Sequence, residues 1–353
     1  MSSSFVKVAL LSAAGALAGP LASRADAPGA SCASPSGDLT ISSLKLYPEN
    51  ADFDTKRCVS YLSVLYNSSV AVYDAAKNKV QDIIEFPELT GNPKLHASGV
   101  KMGPAGQLFV VVNAGAAFDT EGKDISGDNF LVSYDLDTKK VLYKADLNKA
   151  HNGEFGGFQD IAHDQCGNSF VVGSYPASIV RVSADGSKVD LWAGDKGAKS
   201  TSFGYSGIVS HRNTLIVSNG GDDKLYRVDA RKQAEPTAIP LEGNKTVGTQ
   251  NSMDKIYMPS KYEGKVILVS DNVKGTIVVR SDNDWESAKV LCAIPNPYQK
   301  ENGFSVGTVQ IGQRIRVIIQ YFEGNNGTRS DFPLVDVTDE VDKCVKQEVP
   351  ARA

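Results

Sequence analysis

Three side chains carry the chemistry this sequence offers: His96, Gln159 and Asp160. His96 stands just ahead of a strand-like run, where an imidazole can move a proton near neutral pH or hydrogen-bond a ligand; the alternative is a structural ring. Asp160 occupies a place where sister segments carry glycine. A carboxyl facing a partly apolar channel holds its proton more tightly and can serve as an acid, unless it serves only to satisfy neighbouring backbone. Gln159 offers an amide to a carbonyl oxygen that gains charge in a transition state. His163 and His211 fall mid-hairpin, where structural roles are expected.

Other catalytic patterns fail on context. Gly204-Tyr-Ser-Gly207 lacks the strand-to-helix setting that exposes a nucleophilic serine. Ser98-Gly-Val-Lys101 sits on a strand, where alternation sends its two functional residues to opposite faces. No Walker or dinucleotide glycine pattern opens a helix, and no Cys-x-x-Cys spacing occurs. The chemistry expected is therefore cofactor-independent.

The elements that position these residues recur along the chain. Ser98–Asn113 and Gln159–Ser174 align without a gap, and Ser206–Asn219, Ser252–Asp271 and Ser305–Tyr321 share their layout of apolar strand, glycine turn and β-branched strand. A sixth unit is expected at Cys58–Asp74, and third strands at Phe130, Ser178, Lys224 and Gly275. Such repeats predict an all-β, six-bladed β-propeller, which leaves only short, protected sheet edges. In that geometry the starts of first strands and the ends of second strands meet at one mouth. The expected lining is His96, Ser98, Phe158, Gln159, Asp160, Tyr205, Ser206, Gln250, Asn251, Phe304 and Ser305, joined by Asn113, Tyr175, Asn219, Asp271 and Tyr321. Residues 114–127 form the longest insertion and are expected as a lid; their acidic spacing lacks the EF-hand pattern for calcium.

Net charge is −4, with no basic block, which leaves nucleic acid and anionic membranes without an electrostatic footprint. Residues 1–18 have the lysine, apolar stretch and small residues of a signal peptide, and the apolar run is too short to span a bilayer. Residues 19–45 are expected as a tail or a strand reaching the last blade, 46–347 as the propeller and 348–353 as a C-terminal tail. Sequons at Asn67, Asn244 and Asn326 agree with passage through the secretory pathway, ending secreted or lumenal. Five cysteines allow two disulfides; Cys58–Cys344 is a pairing that would join the first and last blades.

At its strand pairs the chain resembles the six-bladed propellers related to gluconolactonase and strictosidine synthase. The lactonase branch holds a divalent metal at inner-strand starts; the matching positions here are Ser98, Gln159 and Ser206, with Asp160 adjacent, which speaks against a metal-dependent lactonase. The stretches HASGVKMGPAGQLFVVVNAGAAFDTEGKDISGDNFLVSYDLD and GGFQDIAHDQCGNSFVVGSYPASIVRVSADG resemble the fungal secondary-metabolite propellers of trichothecene clusters and the hetero-Diels–Alderases of tropolone sesquiterpenoid clusters. The resemblance implies ring formation, hetero-Diels–Alder or dehydrative, on a terpenoid or polyketide–terpenoid intermediate. A small hydrophobic substrate in an apolar, shape-selective pocket suits both. The rival expectation is a secreted propeller that binds a ligand or docks a host protein without catalysis.

Overall fold

In the computed structural model, residues 32–347 are described, apart from Lys245 and Gln250. The signal-peptide and C-terminal-tail expectations, and Gln250 at the mouth, therefore lie outside the described residues. Six four-stranded antiparallel sheets follow one another in a ring, the blades of a β-propeller. The inner strands are Pro48–Asp54, Leu95–Met102, Gly156–His163, Tyr205–His211, Met253–Tyr257 and Phe304–Ile311. Second strands of the LFVVVNA and SFVVGSY kind are wholly buried, because each lies between two neighbouring blades and packs on both faces.

The ring closes by strand exchange. Leu39–Ser42 pairs antiparallel with Asp331–Asp336, so the N-terminal segment supplies the outer strand of the last blade. Arg316, fully buried, donates from Nη1 to the Gly37 carbonyl at 2.6 Å and from Nη2 to the Pro35 carbonyl, tying that segment down. The disulfides differ from the expected pairing: Cys32 joins Cys58, and Cys292 joins Cys344. Cys58 sits in the first hairpin of blade 1, where the N-terminal segment passes, whereas Cys344 lies on the helix Thr338–Gln347, which packs on the outer strand of blade 5. The Cys32–Cys58 bridge thus ties the N-terminal segment of the last blade to blade 1, in place of the expected Cys58–Cys344, and Cys166 stays free and exposed.

A second correction concerns blade 1. Cys58–Asp74 holds its second and third strands, Val59–Val64 and Ser69–Asp74, rather than its first pair. The inner strand lies upstream as PENADFD, a polar run that does not read as a strand yet is almost wholly buried.

All six inner strands share one irregularity, a single extra residue against the second strand, a β-bulge at the equivalent level. Just after the bulge, that register aligns Asn50, Gly99, Asp160, Gly207, Lys255 and Gly307, so polar side chains and glycines alternate around the channel. A Cβ on Gly207 would lie 2.4 Å from the Ile256 backbone nitrogen and one on Gly99 2.9 Å from the Gln159 carbonyl, so at these two positions the neighbouring inner strands approach too closely for a side chain, whereas Gly307 has room for one.

Candidate functional site

Above this ring a cavity of about 390 Å³ opens at the channel mouth. Its floor is Glu49, Ser98, Gln159 and Asp254 from four inner strands, and its walls include His96, Tyr66, Phe118, Phe203 and Phe322. Asp119, Asn251 and Asn272 add polar edges. Phe118 and Asp119 stand on the short helix Ala116–Asp119, which places part of the segment 114–127 over the mouth.

The floor rests on a buried charge network. Lys255, 2% exposed, donates from Nζ to Glu49 Oε1 at 2.6 Å and to Asp254 Oδ1 at 3.0 Å. Deeper, Asp160 accepts from Asn50 Nδ2 at 3.0 Å and from the Ile208 backbone N–H at 2.9 Å, linking blades 1, 3 and 4. One ammonium thus faces three buried carboxyls. Burial pushes Glu49 up to about 7 against the pull of Lys255, and Asp254 moves upward for the same reason. Asp160 is pushed up to about 6 by burial, with its backbone hydrogen bonds and the charges of Lys255 and Lys101 opposing. Burial alone would lower Lys255, but Asp254 and Glu49 overcome it and hold the ammonium protonated. Glu49 Oε2 is buried and has no hydrogen-bond partner. The group at the floor of the pocket is therefore a carboxyl whose pKa burial raises into the neutral range.

Across the same pocket, His96 shifts the other way: burial lowers its pKa, with Asp119 partly opposing. Its ring meets Tyr66 edge-on, 5.2 Å between centroids. At neutral pH it is an uncharged imidazole, able to accept a proton. A carboxyl held protonated and an imidazole held neutral in one cavity make an acid–base pair. The ring has its place because Gly115 has no side chain; a Cβ there would stand 2.5 Å from His96 Cε1. Gly115→Ala is expected to displace the imidazole at a cost of about 1–3 kcal/mol of stability. An NMR titration should then show His96 moving back toward its ordinary value.

The bulge residues do not suit a metal ion. The corresponding positions are richer in carboxylates than Ser98, Gln159 and Ser206 alone imply, since Glu49 and Asp254 stand at the same level. Both, however, are engaged by the Lys255 ammonium, whose charge opposes a divalent cation at that point.

Of the residues expected at the mouth, His96, Ser98, Gln159 and Asn251 line the cavity. Gln159 is oriented by its Nε2 bond to Ser174 Oγ at 2.7 Å. Asp160 lies below, in the channel. Others face between blades, because alternation turns them away from the axis. Asn113 Nδ2 donates to Ser98 Oγ at 2.6 Å and to the Phe158 carbonyl at 2.7 Å, and Phe158 itself is core, beside His151. Tyr175 backs Phe118 and Phe203 at 5.7 and 5.6 Å, and Phe304 backs Phe322 at 5.4 Å. Ser206 meets Ser218, Tyr321 lies under the Arg329 guanidinium, and Ser305 is buried inside blade 6. Asp271 accepts from the backbone of Thr249, Val273 and Lys274 and ties down a turn. Tyr205 and Asn219 line a different cleft, between blades 3 and 4. His163 lies at the far end of its strand from the mouth and His211 pairs with Asp284 at 3.4 Å, as structural roles require. Sequence reasoning missed Glu49, Tyr66, Phe203, Asp254, Lys255 and Phe322. The Asp254-Lys255 pair aligns with Gln159-Asp160, a signal that the repeat contained.

Comparison with known proteins places this arrangement. The family described as Mal s 1 allergenic protein-like matches residues 29–296. Trichothecene biosynthesis protein 14 of Trichoderma arundinaceum is 34% identical, over 88% of this chain and 90% of that protein. Core trichothecene cluster (CTC) protein 14 of Fusarium sporotrichioides is 32% identical, over 90% and 89%. The crystal structure of the major Malassezia sympodialis allergen Mala s 1 aligns with a TM-score of 0.75 at 24% identity, over 86% of this chain and 96% of that one, a likeness of fold.

Proposed function

This chain belongs to the Mal s 1 allergenic protein-like family of propellers, and on that premise we propose that its mouth pocket closes a ring on a small, largely apolar, hydroxylated terpenoid or polyketide–terpenoid metabolite. The observation that carries this reading is Glu49, a buried carboxyl raised to about 7 that lines the floor of an aromatic-walled cavity. The names of the trichothecene relatives support the metabolite class.

In the dehydrative version Glu49 donates its proton to a leaving hydroxyl. The carbon–oxygen bond breaks, water departs, and a second hydroxyl of the same molecule attacks the carbon to form the ring ether. Neutral His96 takes the proton released, which returns to the Glu49 carboxylate through solvent; the balance is loss of one water. Tyr66, Phe118, Phe203 and Phe322 line the cavity with aromatic rings, a setting that stabilises positive charge developing on carbon. In a hetero-Diels–Alder version no proton transfers, and the protonated Glu49 with Gln159 would only hydrogen-bond a carbonyl.

Two disulfides point to an oxidising compartment, so the reaction would take place along the secretory route or outside the cell. Asn326, on an exposed loop, is then the sequon best placed for glycosylation, whereas Asn67 is half-buried with its amide on Ser69 Oγ; the Asn244 side chain lies outside the described residues. The second reading is a non-catalytic ligand carrier, which the same aromatic-walled cavity would serve.

The test is incubation of the mature chain with a trichothecene-type triol and, separately, with an o-quinone methide plus humulene, each against an uncatalysed control. Faster or stereoselective closure of the triol is the expected result. Acceleration of the second reaction alone would move the reading to a pericyclase. Saturable binding without turnover in either would move it to the carrier.

A further inference from the structure

The cleft between blades 3 and 4 is separate from the mouth, and the chemistry above makes no use of it. It encloses about 800 Å³ and is lined by Trp192, Tyr205, Tyr226, Asp195 and Glu235, among others. It exists because blade 4 is cut short: its outer strand is only Thr237–Ala238, paired at two positions with the third strand, and the loop 230–236 runs where a longer strand would lie.

Tyr205 and Tyr226 line the cleft with aromatic carbon rather than free donors, whereas the Trp192 ring already carries the Arg181 guanidinium 5.4 Å from its centroid. The Trp192 indole N–H is committed to the Asp229 carbonyl at 3.1 Å, and the Tyr226 hydroxyl donates to Asp222 Oδ2 at 2.5 Å. The Tyr205 and Tyr226 rings stand at 59° with centroids 6.3 Å apart, forming a corner and not a closed stack. The lining carries two carboxylates against one ammonium, and the Arg181 guanidinium over Trp192 is paired with Asp190 at 3.6 Å. Asp195 and Glu235 are exposed on the wall, Asp222 stands behind Tyr226, and Lys196 is the single cation among the described lining residues; Lys224 is taken by Asp222 at 3.2 Å. Burial raises the Tyr205 hydroxyl, and Tyr226, Asp222, Asp195 and Glu235 raise it further, a sign of the same anionic field.

The geometry points to a second binding site, specific for an organic ammonium ion whose charge is shared by the Tyr205 and Tyr226 rings and the Asp195 and Glu235 carboxylates. Two acidic side chains at the rim attract a cation and repel carboxylate or phosphate ligands. The aromatic faces favour a bulky, weakly hydrated ammonium over a small inorganic ion, and a neutral isostere loses both terms.

The chain supplies its own reporter. It has two tryptophans, and Trp285 is wholly buried in the core of blades 4 and 5, so ligand-dependent fluorescence comes from Trp192. The full chain is titrated with choline and with its uncharged carbon isostere, 3,3-dimethyl-1-butanol. The expected result is a saturable change with choline, with the isostere at least about tenfold weaker, and a choline affinity reduced at least about tenfold in the Asp195→Asn/Glu235→Gln variant. Both substituted residues are exposed, so thermal unfolding of the variant should match the parent chain. Equal binding of the isostere, undiminished binding by the variant, or saturation by a neutral oligosaccharide in place of choline would overturn the assignment, as would the absence of any saturable response.

Discussion

Glu49→Gln is expected to lower kcat for ring closure by about 10²–10⁴-fold while leaving the fold intact. The amide keeps an oxygen for the Lys255 ammonium, now bonded at 2.6 Å, and keeps the volume of the side chain, but has no proton of suitable acidity to give. KM should change little, because the pocket walls are untouched. The parent chain's pH profile follows from the same group. The acid form is the active one, so kcat/KM should fall as pH rises through about 7, and that limb should vanish from the residual activity of the variant. The size of the loss also separates the two chemistries: a pericyclic reaction needs only a hydrogen-bond donor, which glutamine still provides, and would lose far less.

Lys255→Met is expected to produce the largest loss of stability of any single change in the channel. Removing one partner from a buried ion group leaves uncompensated charge, a cost of about 3–5 kcal/mol. Here the Glu49 and Asp254 carboxyls lose their shared partner, and each ionises without compensation as pH rises. A fall in Tm of roughly 10 °C should follow at neutral pH. The sign of the pH dependence is fixed by linkage. A carboxyl whose pKa is raised on folding binds more protons in the native state, so its contribution is fully present below the unfolded value and is lost as pH rises through the folded one. Glu49, raised to about 7 by burial, already behaves this way, and without the ammonium the window widens. The variant should therefore recover much of its stability under acidic conditions, and adding Glu49→Gln and Asp254→Asn should restore part of it at neutral pH. Urea unfolding of the single and triple variants across pH measures both effects.

The repeat made the architecture legible because second strands such as LFVVVNA and SFVVGSY are buried on both faces, and their apolar runs announce themselves. Inner strands are different. Their polar atoms are satisfied across the channel by other blades, as Asn50 is by Asp160 and Glu49 by Lys255, so their sequences look like loops. That is why PENADFD carries no strand signal, the first blade's pair is expected at Cys58–Asp74 instead, and Glu49 is missed. His96, Ser98 and Gln159 were found because they precede apolar strands in blades whose register was right. Tyr205 and Asn219 were assigned to the mouth by position along the strand, but the bulge and the pleat turn them into the lateral cleft. Disulfide pairing could not be read from spacing, since it depends on where the N-terminal segment and the final helix pass over the blades.

The central claim is that Glu49 carries a proton at the floor of the mouth pocket, and infrared difference spectroscopy addresses it without a substrate. The spectrum of the parent chain minus that of Glu49→Gln cancels the other carboxyls, Asp160 included. The account predicts a protonated-carboxyl stretch in slightly acidic solution that converts to a carboxylate band as pH rises through about 7. A carboxylate band alone, persisting down into the ordinary carboxylate range, would contradict it and leave the pocket without its acid.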